Sequence, residues 1–246
     1  MDIVLLTIKS ELESAKSLGF PTSVRGDFTG QGMAPEDFDK KLVVRWGNSA
    51  LFYNRNGRLQ EFKNVANPSK AICLNCSKLE ARETFGKVVN IPKMYKGTVP
   101  AGKVAVVRPF SHAAGSDFKV VTGPFEIPYG CYASEFIETD TEYRVWFAHG
   151  RTFAGQRVPL NGESKDKPCR SNWGYSYREV TYKLHTDTLA AAKAIGLTFG
   201  AADLLIKGGR NYFLELNSAP SIDAPTPRRF YQEALKAYAI EKGFKV

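Results

Sequence analysis

Three oxygen-bearing side chains close to the end of the chain could do metal chemistry together. In GLTFGAADLLIKGGRNYFLELNSAPSID, Asp203, Glu215 and Asn217 interrupt two apolar runs that flank Gly208-Gly209. Glu215 and Asn217 are two residues apart, which puts them on one face of a strand. Where Asp203 falls depends on the hairpin. A two-residue turn sets it opposite Leu214 and away from Glu215, whereas a three-residue loop or a bulge sets it opposite Glu215. Carboxylates buried in strands this apolar need a cation, so the odd-length loop or the bulge is expected. Two carboxylates and an amide oxygen are hard ligands, suited to Mg²⁺ held jointly with nucleotide phosphates. At a strand end facing solvent the same three groups would need no cation.

Other residues could bring charge to such a site. VAVVRPFSHAAGS is an apolar strand that ends in Arg108 and runs into a loop of small residues containing Ser111, Gly115 and Ser116. Backbone N–H groups of such a loop bind phosphate oxygens if no bulky side chain stands in the way. Glu142 and Arg144 alternate onto one face of TEYRVWFAHG, and Arg170 and Asn172 stand in CRSNWG. Any one arginine on a basic protein is unremarkable. Their order along the chain is what gives them weight.

In that order, ending in Leu214-Glu215-Leu216-Asn217-Ser218-Ala219-Pro220, the elements resemble the ATP-grasp superfamily over residues 67–222. The resemblance is greatest to the branch with the ribosomal-protein glutamate ligases and small stand-alone ATP-grasp proteins of tailed bacteriophages. It implies an α+β fold in which two α+β subdomains clasp ATP, at residues 76–137 and 138–246, after a small N-terminal α/β region at 1–75. It implies Mg²⁺, with Mn²⁺ as a substitute, on Asp203, Glu215 and Asn217. Lys78 and Arg108 would meet the phosphates, Arg108 standing where the family has lysine, and Ser111, Gly115 and Ser116 would close over them. This loop has one glycine where the family has several. Glu135 and the backbone of Phe136 and Ile137 match the adenine hinge, and Glu138 or Asp140 the ribose contact. Arg144, Arg170 and Asn172 would line the reacting groups. The implied reaction joins a carboxylate to an amine through an acyl phosphate, at least one partner being anionic. Phosphotransfer or adenylation by the same fold is the alternative, and a non-catalytic nucleic-acid binder is a third reading that leaves the carboxylates unexplained.

The elements that must position these residues are legible in outline. IVLLTI and KLVVRWG read as strands, and Ser10–Leu18 as a helix stopped by Gly19. A helix from an Asn67 N-cap to Gly86 follows, with Pro68 in its first turn. VVNIP, KVAVVRPF, FKVVT and CYASEFI read as short strands, and TEYRVWFAHG with RTFAGQRV as a hairpin. A helix over Asp187–Ile195 ends at Gly196, two strands meet across KGGR, and Pro227–Lys242 is a final helix. Cys73 and Cys76 read as packed or incidental, since one isolated pair is a poor zinc site. Arg45-Trp46-Gly47-Asn48 either faces the cleft or packs its tryptophan.

The 246 residues, 43% hydrophobic and 24% charged, are ordinary globular values. No apolar run approaches the roughly 18–20 residues of a membrane span. The opening MDIVLLTIKSELESAK has a short apolar stretch and no small-residue cleavage site, so no secretory signal is expected. With four cysteines, too few and scattered for a disulfide framework, a reducing cytoplasm is expected. A net charge of +9 favours anionic partners without choosing among them.

Overall fold

The computed structural model describes residues 2–24, 38–48, 52–53, 56, 59–110, 118–159 and 173–246. The N-terminal part is a parallel sheet. Strand β1 (Ile3–Thr7) is buried along its whole length, as strands covered on both faces must be. A 3₁₀ turn (Lys9–Glu11) and helix α1 (Leu12–Lys16) lead back to β2 (Thr22–Val24). Strand β3 (Leu42–Trp46) follows, then a small hairpin of β4 (Phe52–Tyr53) and β5 (Leu59–Gln60), then β6 (Val65–Ala66). The sheet order is β2-β1-β3-β6.

The single helix expected over 67–86 is two helices, α2 (Ser69–Cys76) and α3 (Lys78–Phe85). Ser77, with φ −80° and ψ 90°, breaks them apart, and Pro68 rather than Asn67 stands at the start of α2. Pro68 offers no capping side chain, so Glu61 takes the role and accepts from Ser69 N–H. Glu61 also pairs at 2.7 Å with the buried Arg45 of β3, which ties the parallel sheet to α2.

Asn67 does other work. At φ 60° it occupies the left-handed region that asparagine tolerates. Its side chain accepts from Thr198 and Phe199 N–H at 2.8 and 3.2 Å and donates to Phe199 O at 3.0 Å. Asn67→Ala leaves these buried backbone groups unsatisfied and is expected to cost about 3 kcal/mol, read from urea denaturation.

A small antiparallel sheet comes next. Its elements are β7 (Met94–Tyr95), β8 (Thr98–Val99), β9 (Val104–Pro109), β10 (Lys119–Thr122), β11 (Phe125–Glu126) and β12 (Cys131–Glu135). The main order is β10-β9-β12-β7, with β8 and β11 paired separately. VVNIP, expected as a strand, is a turn and an extended lead-in to β7. Pro92 cannot donate to a ladder, and Asn90 O is bonded to Phe213 N–H instead.

The largest sheet is antiparallel, ordered β15-β14-β13-β16-β17. It comprises β13 (Thr141–Ala148), β14 (Arg151–Pro159), β15 (Trp173–Arg178), β16 (Phe199–Lys207) and β17 (Arg210–Asn217). Helix α4 (Tyr182–Ile195) starts earlier than expected because Thr181 caps it, and Gly196 ends it in the left-handed conformation at φ 89°. Val145, Phe147, Ala202, Leu204 and Leu216 pack one face of this sheet against α2, α3 and α4. On the other face, Trp146, Ala148, Phe199 and Ala201 meet the parallel sheet and helix α5 (Pro225–Glu241). There Trp46 stacks on Phe199 at 5.4 Å and meets Tyr231 edge-on at 5.3 Å. Further along the same strands this face turns from apolar to charged.

Candidate active site

The charged end of that face gathers the carboxylate hairpin. Lys207 pairs with Arg210 across the two-residue turn Gly208-Gly209, and Leu204 pairs with Phe213. The register then shifts, so that Asp203 pairs with Glu215 and Leu214 is the extra residue of a β-bulge. Of the two devices that could set Asp203 opposite Glu215, the fold uses the bulge. Asn217 Nδ2 lies 3.4 Å from Asp203 Oδ2 and 3.3 Å from Glu215 Oε1, so the three side chains converge. Turning that amide over exchanges its nitrogen for the oxygen a cation requires.

Cations surround the carboxylates. Arg144, opposite Asp203 on β13, donates from Nε and Nη2 to both carboxylate oxygens at 2.7 Å each. Arg157 on β14 lies 3.4 Å from Asp203 and 3.6 Å from Glu142. Burial alone would raise the Asp203 carboxyl, but the ion pair with Arg144 and the charge of Arg157 outweigh it and hold the group down at about 2. Lys78, first residue of α3, donates to Glu215 Oε2 at 2.9 Å. The break at Ser77 is what lets a helix begin here and aim this lysine at the edge strand.

Arg82, one turn further along α3, is buried. It donates from Nε and Nη2 to Leu214 O at 3.0 and 2.7 Å. Its guanidinium stands 5.5 Å from the centre of the Tyr132 ring, and Tyr132 pairs with Arg108 across β12 and β9. Burial lowers the Arg82 pKa, and the charge of Arg108 lowers it further. The small sheet and the hairpin therefore meet through this side chain, with Arg108 on the sheet's near face, over the Phe118 ring at 5.4 Å.

The hinge residues divide. By strand alternation Glu135 lies on the side of Ala133 and the small sheet's own core, away from Arg108 and Ser134. Phe136 N–H is bonded to Val104 O at 3.0 Å, so of the backbone groups expected at an adenine this one is already committed within the small sheet. Asp140 is spent on the hairpin turn, accepting from Gly208 N–H at 2.9 Å and Lys207 Nζ at 3.3 Å. Glu138, exposed beside it, is the ribose candidate that remains. Ser111, His112, Gly115, Ser116, Arg170 and Asn172 lie outside the described residues.

Other motifs resolve as structure. Trp46 is packed, and Gly47 has φ +71° with Ala219 so near that an added Cβ would stand 3.0 Å from it. The Arg45–Asn48 turn thus abuts the segment after Asn217. Cys73 and Cys76 are exposed on α2 rather than packed. His149 pairs with Glu241 at 2.9 Å, and His185 with Thr152 at 2.8 Å. Among the described residues no three His, Cys, Asp or Glu side chains form a metal cage, and no helix is long and apolar enough to cross a membrane. Two carboxylates and an amide instead fit Mg²⁺ whose remaining ligands are phosphate oxygens and water.

No protein-family model matches the sequence, and the curated proteins give no match. Solved structures do. The chain is similar to the ATP-grasp ligase PsnB complexed with minimal precursor, Mg and ADP, at 13% identity and TM-score 0.67, over 96% of each chain. It is similar to the macrocyclase MdnC from Microcystis aeruginosa MRC bound with precursor peptide MdnA, at 12% identity and TM-score 0.62, over 97% of this chain and 99% of that one. D-alanine–D-alanine ligase from Bacillus anthracis matches at 12% identity and TM-score 0.60, over 98% and 93%. At such identities the likeness is one of fold.

Proposed function

We infer from the ATP-grasp fold, which this chain has, that it is an ATP-dependent carboxylate–amine ligase. The observation that carries this reading is the bulge at Leu214, which brings Asp203, Glu215 and Asn217 together among Arg144, Arg157 and Lys78. Arg144, Arg157 and Lys78 pair with these carboxylates from the sides. The bulge sets the two carboxylates next to one another, the arrangement that a shared cation would use. Residues 1–75, 76–137 and 138–246 are taken as the N-terminal region and the two subdomains of the clasp.

The chemistry follows from charge. A carboxylate oxygen attacks the γ-phosphorus of ATP, the bond to the β,γ-bridging oxygen breaks, and ADP leaves. The amine then attacks the acyl carbon, the bond to phosphate breaks, and the amine's proton passes to solvent as the amide forms. Both steps bring anions together, so positioning and electrostatic stabilisation dominate. Mg²⁺, or Mn²⁺ in its place, supplies Lewis-acid charge on the phosphate oxygens when held by Asp203, Glu215 and Asn217. Arg144 and Arg157 keep Asp203 ionised and fixed. Lys78, paired with Glu215, and Arg108, on the small sheet, are the cations assigned to the phosphates. Ser111, Gly115 and Ser116 are assigned to the phosphates, and Arg170 and Asn172 to the acyl group, by the sequence resemblance alone. Glu135, Phe136, Ile137 and Glu138 form the nucleoside end.

Peptides come first among substrates, because PsnB and MdnC are described with precursor peptides; an ATP supply makes the cytoplasm the compartment. The test is ADP release from Mg-ATP over a panel of peptides, amino acids and amines, with mass spectrometry of the product and hydroxylamine to trap an acyl phosphate. ADP with a hydroxamate is expected. AMP, or a phosphorylated product with no amide, would replace ligation by adenylation or phosphotransfer.

A further inference from the structure

We propose that Arg82 is the positioning residue that sets the metal-binding register of the hairpin, an inference that rests on the Mg-ATP reading above. A guanidinium buried to 7% exposure needs a strong reason to be there. Arg82 spends two donors on one acceptor, Leu214 O, and Leu214 is the residue that the β16–β17 ladder skips.

The backbone shows why that carbonyl needs a partner. In a regular antiparallel strand successive residues turn their N–H and C=O groups to opposite sides. Here two successive residues turn groups out of the ladder. Phe213 N–H bonds to Asn90 O at 2.9 Å, and Leu214 O bonds to Arg82. Leu214 is half-buried, and a buried carbonyl left without a donor costs about 1–3 kcal/mol, an upper bound for this one. Removing Arg82 therefore weighs against the bulge and favours the regular register, in which Asp203 faces Leu214. A one-residue slip turns side chains to the other face, and it would separate Asp203 from Glu215.

Arg82 is itself held in place. Tyr132 lies under its guanidinium, and its Nη1 lies 3.9 Å from Met94 Sδ. Both neighbours belong to the small sheet that presents Arg108. One side chain thus references the metal hairpin to the phosphate-facing sheet. It does so as a positioning residue, because Nε and Nη2 are committed to Leu214 O, Nη1 faces Met94 Sδ, and little of the side chain reaches solvent.

The experiment compares Arg82→Met and Arg82→Lys with the wild-type chain in two ways. The first is the Mg²⁺ concentration that half-saturates ADP formation at saturating ATP. The second is hydrogen exchange of the 199–217 amides in nucleotide-free protein. Arg82→Met is expected to raise the half-saturating Mg²⁺ about 10- to 100-fold, as loss of a ligand-orienting partner does, and to speed exchange in the hairpin. Arg82→Lys keeps the charge but not the two-donor fork, and a rise of about threefold or more is expected; it serves alone if Arg82→Met does not fold. An unchanged Mg²⁺ requirement in a folded variant overturns the proposal. So does a raised KM for ATP at an unchanged Mg²⁺ requirement, which would make Arg82 a direct phosphate ligand. If the wild-type chain releases no ADP with any substrate, the ligase reading fails. Hydrogen exchange then decides the register claim: wild-type protection of the hairpin in Arg82→Met refutes it, and lost protection upholds it.

Discussion

Glu215→Gln is expected to lower ADP release from Mg-ATP by about 10²–10³-fold, the scale set by removing one preorganised electrostatic group. The glutamine has the same shape and can still accept from Lys78, whose side chain is partly exposed. Folding should therefore survive, with a melting temperature close to that of the wild-type chain. The loss should fall on kcat and on the Mg²⁺ requirement together, since the charge removed is the one Lys78 only shields.

Asp203→Asn should behave differently, although the two carboxylates sit opposite one another. Asp203 is buried and holds both Arg144 and Arg157. Neutralising it leaves buried guanidinium charge uncompensated, at a cost of about 3–5 kcal/mol. In a chain this long that corresponds to a fall in melting temperature on the order of 10 °C. The pH dependence carries a sign. The folded-state pKa is depressed to about 2. The stabilisation is thus complete above the unfolded value near 4 and disappears as pH falls toward 2. The stability gap between the wild-type chain and Asp203→Asn should be constant from neutral pH down to about 4 and close below it. A gap that closed near pH 6 would mean that the pair is not formed.

The residues whose juxtaposition is legible in the sequence are those that violate a pattern. Asp203, Glu215 and Asn217 break apolar strands, and that conflict alone called for a bulge or an odd loop. Which device operates was not legible, because it depends on Arg82, and an arginine on a helix reads as a solvated residue until its neighbours are known. Arg157 was missed for a related reason. Nothing local marks it, and its partners Glu142 and Asp203 are brought to it only by the sheet. The helix break at Ser77 has no glycine or proline to announce it. VVNIP misled in the other direction: β-branched residues suggested a strand, while Pro92 and the bond from Phe213 to Asn90 favour an extended lead-in. Glu135 occupies the expected strand end, yet its side chain takes the face away from Arg108, a matter of one residue's alternation. Asp140 looked as eligible for ribose as Glu138 until its carboxylate was found on the Gly208 turn.

The most direct measurement is Mn²⁺ binding followed by electron paramagnetic resonance, with and without a non-hydrolysable ATP analogue, in the wild-type chain and in Glu215→Gln. If a cation is shared between the hairpin and the phosphates, the wild-type chain takes up Mn²⁺ strongly only when the analogue is present, and the variant loses most of that uptake. Equal Mn²⁺ uptake by the two proteins, or uptake indifferent to nucleotide, would contradict it.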